Sequence, residues 1–319
     1  MTARLHVLLG PGGVGKTTLA AGYALALAAR RHRVGLLGID PSRRLQDALG
    51  VALSDHEVRV PCGGELHAAI VHPHQALERW VGEHDPALTR NPYFAALGGR
   101  LATAVDIFAA ARVAEWAERD PLLTDLVVDT APGLPALEFL RSPRQLDALV
   151  SGRMLRWLRA ASSRGRLHGT ARRVLGAFAG VGGARMVIDL ADFFSAVRAP
   201  LERMLARVEE TRRWIGSADL LLVTSPRDTG AAGAAAVLRA LSDEDLAPSA
   251  VIVNRTWPAV PVRGTTPFDD YVRALLGAQT AVLAEVDRWN VPVVIVPSTR
   301  NLTDIGEVLA APRVHRRAS

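Results

Sequence analysis

The residues nearest the N-terminus that could do chemistry form a glycine-rich loop ending in a lysine and two threonines. The run Gly10-Pro11-Gly12-Gly13-Val14-Gly15-Lys16-Thr17-Thr18 fits the pattern G-x-x-x-x-G-K-[ST]. In such a loop successive backbone N–H groups converge on phosphate oxygens, and the following helix adds partial positive charge. We expect Lys16 to reach the β- and γ-phosphates of a nucleotide and the Thr17 hydroxyl to bind magnesium. The predicted nucleotide-binding residues of the loop are Gly10, Gly12, Gly13, Val14, Gly15, Lys16, Thr17 and Thr18.

Lys16 is the single lysine of the chain, and all the other basic residues except histidine are arginines. A lysine offers a compact ammonium on a flexible stem, whereas an arginine offers a planar fork. A chain that uses arginine everywhere else therefore indicates that this position needs an ammonium. The alternative, a glycine-rich turn that binds nothing, is disfavoured because an apolar strand-like run precedes the loop and a helical run follows it.

Three further polar residues follow apolar, strand-like runs. Asp40 is expected to orient a water aimed at the γ-phosphate and to take part in the magnesium site. Asp129 is expected to be the carboxylate that acts on magnesium directly or through water. Capping of a following helix is the alternative for both aspartates. Asn254 carries both a donor and an acceptor for adenine, and it is not followed by the Lys and Asp that a guanine site requires. The sequence therefore predicts ATP with Mg²⁺.

The elements that must position these residues are a series of buried strands. Their apolar runs are continuous and are separated by helix-length stretches, a pattern typical of a parallel sheet covered on both faces. We predict a doubly wound, mostly parallel α/β sheet with the ligand at the carboxyl ends of the strands. The predicted strands are Leu5–Leu9, Val34–Ile39, Leu66–Val71, Leu126–Asp129, Leu220–Thr224, Ala250–Asn254 and Pro292–Val296.

Composition excludes several classes of protein. Apolar residues make up 49% of the 319 residues and charged residues 22%, which excludes a disordered or collagen-like chain. The longest uncharged stretch near the N-terminus, Thr17 to Ala29, is too short to span a bilayer, so we expect a cytoplasmic protein. Cys62 is the only cysteine, which excludes an intrachain disulfide and a cysteine-rich zinc site built from one chain.

With these motifs in view, the chain resembles the ArsA family of ATPases, which includes arsenite-pump ATPases and the ATPase that targets tail-anchored membrane proteins. The glycine-rich loop is similar to the family's phosphate loop. The runs beginning at Asp40 and Asp129 are similar to its two switch segments, and Val251-Ile252-Val253-Asn254-Arg255 is similar to its base-reading strand. The resemblance implies that Pro297 lines the adenine pocket. It also implies an ATP-dependent dimer whose nucleotide state rearranges a helical region beyond the sheet.

Three departures from the family pattern affect function. Pro11 stands where the family has a lysine that reaches the partner's phosphates, so hydrolysis by a homodimer is expected to be slow unless another chain supplies the cation. The family's metalloid-binding and zinc-binding cysteines are missing, which disfavours arsenite efflux and a zinc-linked dimer. Both switch segments also differ, with Arg43 and the Gly133-Leu134-Pro135 run at positions where the family has other residues.

A basic helical stretch interrupts the strand pattern between residues 143 and 217. Residues 151–185 contain eight arginines and no acidic residue, although the whole chain carries a net charge of only +6. One alternative is an ordinary solvated helix face, and a second is a docking surface for an acidic partner or an anionic membrane. Nucleic-acid binding is a third and weaker alternative because no recognition module accompanies the arginines.

These observations combine into one domain organisation and one function. Residues 1–142 and 218–312 are predicted to form a P-loop ATPase core, residues 143–217 an α-helical insertion that faces a client or partner, and residues 313–319 a basic tail. We predict a magnesium-dependent ATPase that forms a homodimer or a heterodimer with a related ATPase. The client of the insertion would be a membrane protein or an acidic protein. The alternative is a catalytically weak, nucleotide-sensing subunit of such a heterodimer.

Overall fold

The computed structural model describes residues 3–39, 43–82, 86, 105–133, 202–226, 230–299 and 301–311. Eight strands occur in these ranges, and seven of them coincide with the predicted apolar runs to within two residues at each end. The strands are β1 Arg4–Leu9, β2 Arg33–Gly38, β3 Val58–Arg59, β4 Glu65–Ile70, β5 Asp125–Asp129, β6 Asp219–Thr224, β7 Ala250–Thr256 and β8 Val293–Pro297.

The eight strands form one sheet in the order β3-β4-β2-β5-β1-β6-β7-β8. Every neighbouring pair is parallel except β3 and β4, which are antiparallel. This order confirms the predicted fold class, a doubly wound and mostly parallel α/β sheet. The sequence did not reveal β3, because a two-residue strand is too short to show a hydrophobic period.

Helices connect the strands. They are α1 Lys16–Ala29, α2 Arg44–Leu49, α3 Pro73–Gly82, α4 Val105–Arg119, α5 Gly230–Ser242, α6 Pro267–Asp287 and α7 Leu302–Ala310. Residues 202–215 are also helical. Their apolar side chains Met204 and Val208 are buried, as the amphipathic pattern of that stretch predicts.

The core lies on both faces of the sheet. Side chains alternate between the two faces of a strand, and consecutive residues such as Leu36 and Leu37 on β2 or Val127 and Val128 on β5 are all fully buried. Helix α1 consists mostly of alanine and leucine after its first turn, which suits an element that is covered on most sides. It packs against α7 and over β2, β4 and β5. These contacts fix the start of α1, where the glycine-rich loop ends.

The chain divides into two compact units. One contains Met1–Val71, Glu115–Leu140 and Arg212–Ser319, and the other contains His72–Ala114 and Arg141–Thr211. The sheet belongs to the first unit. Most of the predicted insertion, residues 143–201, lies outside the described residues, as does the predicted basic tail. The boundaries at residues 142 and 217 therefore stay predictions.

Candidate nucleotide site

The glycine-rich loop lies at the point where the strand order reverses. It follows β1, whose neighbours are β5 on one side and β6 on the other. The next strand along the chain, β2, lies beyond β5, while the later strands β6 to β8 lie on the opposite side. In an open α/β sheet, ligands bind at such a switch point, outside the carboxyl ends of the strands. The loop is thus placed where this fold binds nucleotides.

The backbone of the loop bends through conformations that favour glycine. Gly13 has a φ of +79° and Gly15 has a φ of +94°, both in the left-handed region. Gly15 immediately precedes the first residue of α1 and has no side chain to cap it, and the first turn of the helix contains no acidic residue. The N–H groups at the start of α1 are therefore left for an anionic ligand.

The Lys16 ammonium is buried and folded back onto its own loop. Its Nζ donates to the carbonyl of Gly10 at 2.9 Å and to the carbonyl of Pro11 at 3.1 Å, and the residue is 6% exposed. A buried ammonium needs acceptors, and these carbonyls supply them. Phosphate oxygens are stronger acceptors because they are charged, so the ammonium can exchange partners when an anion enters.

Two consecutive residues at the end of β7 hold the loop from outside. Asn254 Nδ2 donates to the carbonyl of Val14 at 2.8 Å, and Arg255 Nη1 donates to the carbonyl of Gly13 at 2.9 Å. The Asn254 Oδ1 in turn accepts from the backbone N–H of Arg255 at 2.9 Å. The buried side chain of Asn254 thus joins β7 to the loop.

The segment after β5 contacts the opposite side of the loop. Thr130 donates from its hydroxyl to the carbonyl of Leu8 at 2.6 Å, and the backbone N–H of Gly133 donates to the carbonyl of Gly10 at 2.9 Å. Asp129, the last residue of β5, is 2% exposed, and its Cα lies opposite that of Leu8 in the parallel ladder. The predicted second switch therefore begins directly beside the loop.

A cleft of about 750 Å³ opens above the loop. Three of its lining residues are cations, namely Lys16, Arg44 and Arg255, and one, Asp47, is an anion. The excess of positive charge in the lining favours the binding of a polyanion. The remaining lining residues are Gly13, Gly15, Thr17, Thr18, Ala48, Thr130, Pro132 and Leu302.

A family profile described as anion-transporting ATPase matches residues 3–297. The chain belongs to this family, the ArsA family. The match runs from the start of β1 to the end of β8, so the whole sheet is included. Membership confirms the predicted resemblance and makes the chain a member of a family described as ATPases.

Individual relatives of this ArsA-family chain are moderately similar. The ATPase get3 of Schizosaccharomyces pombe is 30% identical over 140 residues, which cover 43% of this chain and 43% of that protein. The ATPase GET3 of Malassezia globosa is 31% identical over 152 residues, which cover 44% of this chain and 43% of that protein. An uncharacterized protein of Streptomyces coelicolor is 29% identical over 301 residues, which cover 88% of this chain and 68% of that protein. The chain thus spans less than half the length of each of these two fungal relatives.

The structure of this ArsA-family chain brings most of the predicted loop residues to one cleft. Gly13, Gly15, Lys16, Thr17 and Thr18 line it directly. Asn254 is buried against the loop, and its role as adenine reader stays a prediction.

The other predicted site residues are not among those that line the cleft. Five of them are part of the loop or are buried beside it, namely Gly10, Gly12, Val14, Asp129 and Asn254. Pro297 is exposed at the end of β8 and is not among the cleft residues. Asp40 lies outside the described residues. Sequence reasoning did not assign Arg44, Asp47, Arg255 or Leu302 to the site. The local signal for Arg255 was its place directly after Asn254 at the end of an apolar strand.

A second polar cluster lies near the amino ends of the strands. The His6 ring on β1 contacts Asp125 of β5 at 2.9 Å and Asp219 of β6 at 3.2 Å, and the Tyr23 hydroxyl of α1 lies 3.4 Å from the ring. Burial alone would lower the pKa of His6, but the hydrogen bonds with the two carboxylates outweigh it, so this pKa lies above the ordinary 6.5.

The carboxylate of Asp125 is held in the charged form. Burial would raise its pKa, but hydrogen bonds from His6, His32 and Thr124 lower the pKa of Asp125 from 3.8 to about 2. His32 contacts the second oxygen of this carboxylate at 2.6 Å. The cluster is therefore a buried ion pair that ties β1 and β5 together.

The described ranges contain neither a metal-ligating cluster nor a membrane-spanning helix. In those ranges no group of three or more His, Cys, Asp and Glu side chains is arranged to hold a metal ion. No helix there is both long enough and apolar enough to cross a bilayer.

Proposed function

We propose that the chain binds ATP with magnesium in the cleft above the glycine-rich loop and hydrolyses it. The observation that carries this proposal is the convergence of the Lys16 ammonium, the uncapped start of α1 and two arginines, Arg44 and Arg255, on one cleft. Family membership supports the same activity.

The residues of the loop fit a triphosphate. The left-handed conformation of Gly13 leaves open space around it, since an added Cβ would meet no atom within 4 Å. A phosphate can therefore approach the backbone closely. On binding, Lys16 exchanges its two carbonyl acceptors for phosphate oxygens, which neutralises charge that grows on the phosphates as the bond to the γ-phosphate breaks.

The residues that would hold magnesium are the Thr17 hydroxyl and the carboxylates of Asp40 and Asp129. Hydroxyl and carboxylate oxygens are the ligands that Mg²⁺ prefers, and it keeps several waters. Bound magnesium would neutralise phosphate charge. Asp40 is also the proposed residue that orients the attacking water.

Steady-state ATP hydrolysis by the purified full chain tests this proposal. We expect turnover that requires magnesium and is lost in Asp40→Asn, while Asp243→Asn, a change at an exposed residue after α5, leaves it intact. Turnover that persists in Asp40→Asn would remove Asp40 from the mechanism. Absence of both turnover and ATP binding in the wild-type chain would contradict the proposal itself.

The nucleotide state is proposed to control an interaction made through residues 143–217. The support is the concentration of arginines in 151–185, together with the resemblance to a family in which the corresponding region contacts the client. Binding of the ATP-loaded and ADP-loaded chain to anionic vesicles and to acidic peptides tests this. Replacing Arg153, Arg156 and Arg159 with Gln is expected to abolish a docking interaction, whereas a solvated face would show no nucleotide-dependent binding in either form.

The proposed assembly is a dimer that closes around nucleotide, either of two copies or with a related ATPase. Light scattering of the chain with ATP and with ADP tests the homodimer, which is expected to form with ATP. A monomer in both states would favour the heterodimer.

Pro11 supports the second candidate function, a nucleotide-sensing subunit, because proline cannot supply a cation to the partner's phosphates. Tight ATP binding without turnover is the result that this candidate predicts.

A further inference from the structure

We infer that Arg255 is a positioning residue, which with Asn254 turns the backbone N–H groups of the glycine-rich loop toward the phosphates. This inference rests on the proposed binding of ATP in the cleft. The two hydrogen bonds from Asn254 to the Val14 carbonyl and from Arg255 to the Gly13 carbonyl are together called the clasp. Both hydrogen bonds of the clasp are accepted by backbone carbonyls of the glycine-rich loop.

The planarity of the peptide bond gives the clasp its effect. The Gly13 carbonyl and the Val14 N–H belong to one trans peptide unit, so they point in opposite directions. The same holds for the Val14 carbonyl and the Gly15 N–H. Because the clasp holds both carbonyls toward the end of β7, both N–H groups must point away from β7. Two donors of the phosphate cradle are thus oriented before any ligand arrives, which lowers the ordering cost of binding.

The backbone at Arg255 is shaped for this contact. Arg255 has a φ of +62°, in the left-handed region that is unfavourable for a residue with a side chain. The pairing of β7 with β8 shifts register between Asn254 and Thr256, so Arg255 is the extra residue of a β-bulge. A bulge re-aims the side chain of its extra residue. Strain of this kind persists where the surroundings and function require it.

The glycine at position 15 fits the same arrangement. A Cβ on Gly15 would lie 2.5 Å from Asn254 Nδ2 and 3.6 Å from Arg255 Nε. Both side chains of the clasp therefore lie directly over the loop where it enters α1. Donation from Asn254 to a carbonyl also fixes the orientation of its amide, since only the nitrogen can donate. The remaining oxygen then accepts from the Arg255 N–H, which couples the two halves of the clasp.

The clasp is tested first in the full chain without nucleotide. Amide nitrogen–proton spectra of the wild-type chain and of Arg255→Ala are compared, with Arg263→Ala as the matched control from an exposed loop. We expect the Val14 and Gly15 amide signals to shift or broaden in Arg255→Ala and to remain unchanged in Arg263→Ala. Unchanged loop signals in Arg255→Ala would overturn the inference, whether or not the chain binds ATP.

Ligand binding is tested second, by calorimetry with MgATP and with inorganic tripolyphosphate. Loss of one charge-assisted hydrogen bond is expected to weaken both ligands by about tenfold in Arg255→Ala, with Arg255→Lys recovering most of the loss. The affinities of Arg255→Gly should match those of Arg255→Ala. Glycine adopts the positive φ at position 255 without strain, so a loss of affinity shared by both variants is not caused by misfolding. A loss for ATP alone would mean that Arg255 contacts the nucleoside, and equal affinities in all variants would also overturn the inference. Failure of the wild-type chain to bind either ligand would instead refute the ATP site.

Discussion

Gly15 and Asn254 approach each other so closely that a single added carbon would collide: a Cβ on Gly15 would lie 2.5 Å from Asn254 Nδ2. The two residues are far apart in sequence, one at the start of α1 and the other near the end of β7. Their contact exists because β1 and β7 lie on either side of β6 in the sheet. The loop is therefore shaped both by its own glycines and by a strand two positions away.

This contact predicts different costs for alanine at two glycines of the loop. Gly13→Ala introduces left-handed strain of about 1–2 kcal/mol but no collision, because nothing lies within 4 Å of the added carbon. Gly15→Ala carries the same strain and must also displace Asn254, which adds about 1–3 kcal/mol. Urea unfolding of both variants measures the difference. Equal destabilisation by the two substitutions would mean that Asn254 yields without cost.

Pro11 predicts a gain of function. Its ring lies against Gly233 of α5, where an added Cβ would be 2.8 Å from the proline Cβ. Pro11→Lys is expected to raise ATP turnover by about tenfold or more if two copies close on each other, since it restores a cation to the partner's phosphates. Pro11→Ala removes the ring without adding charge and serves as the control. Equal turnover in both variants would show that a homodimer does not use this position.

His6 predicts a stability that depends on pH. The folded pKa of His6 lies above the unfolded value of 6.5, so its interactions with Asp125 and Asp219 stabilise the fold fully below pH 6.5. The stabilisation is lost as the pH rises through the folded pKa. The free-energy difference between the wild-type chain and His6→Gln should therefore shrink as the pH rises above 6.5 and through the folded pKa of His6. Urea unfolding measures it, with His56→Gln, at an exposed position, as the control; a gap that widens with pH would contradict the ion pair.

Most strands could be predicted from sequence because they are buried on both faces. Runs such as Leu220–Thr224 are continuous apolar segments, and the structure extends this run by one residue, to Asp219–Thr224. The end of β7 was placed less well. It was predicted at Asn254, but the strand continues to Thr256 through a bulge at Arg255. A bulge depends on the partner strand and on the contacts of the side chain. It therefore produces no pattern of hydrophobic residues from which the sequence could predict it.

The site was predictable where one local motif contains the chemistry. Lys16, Thr17 and Thr18 line the cleft as the loop pattern predicts. Arg44 and Leu302 come to the same cleft from α2 and α7, which only the folded chain brings close. The contact of Asn254 with Val14 also required the fold, because an isolated Asn after a strand does not show whether it faces a base or the backbone.

The binding of ATP at Lys16 is the central claim, and isothermal titration of the purified chain with MgATP tests it most directly. The wild-type chain should bind one ATP per chain. Lys16→Ala should weaken the affinity by about 100-fold or more, because it removes a charge-assisted contact to the phosphates. Arg288→Ala, which removes an exposed cation at the end of α6, should bind as the wild-type chain does. Equal ATP affinity in Lys16→Ala and the wild-type chain would contradict the account.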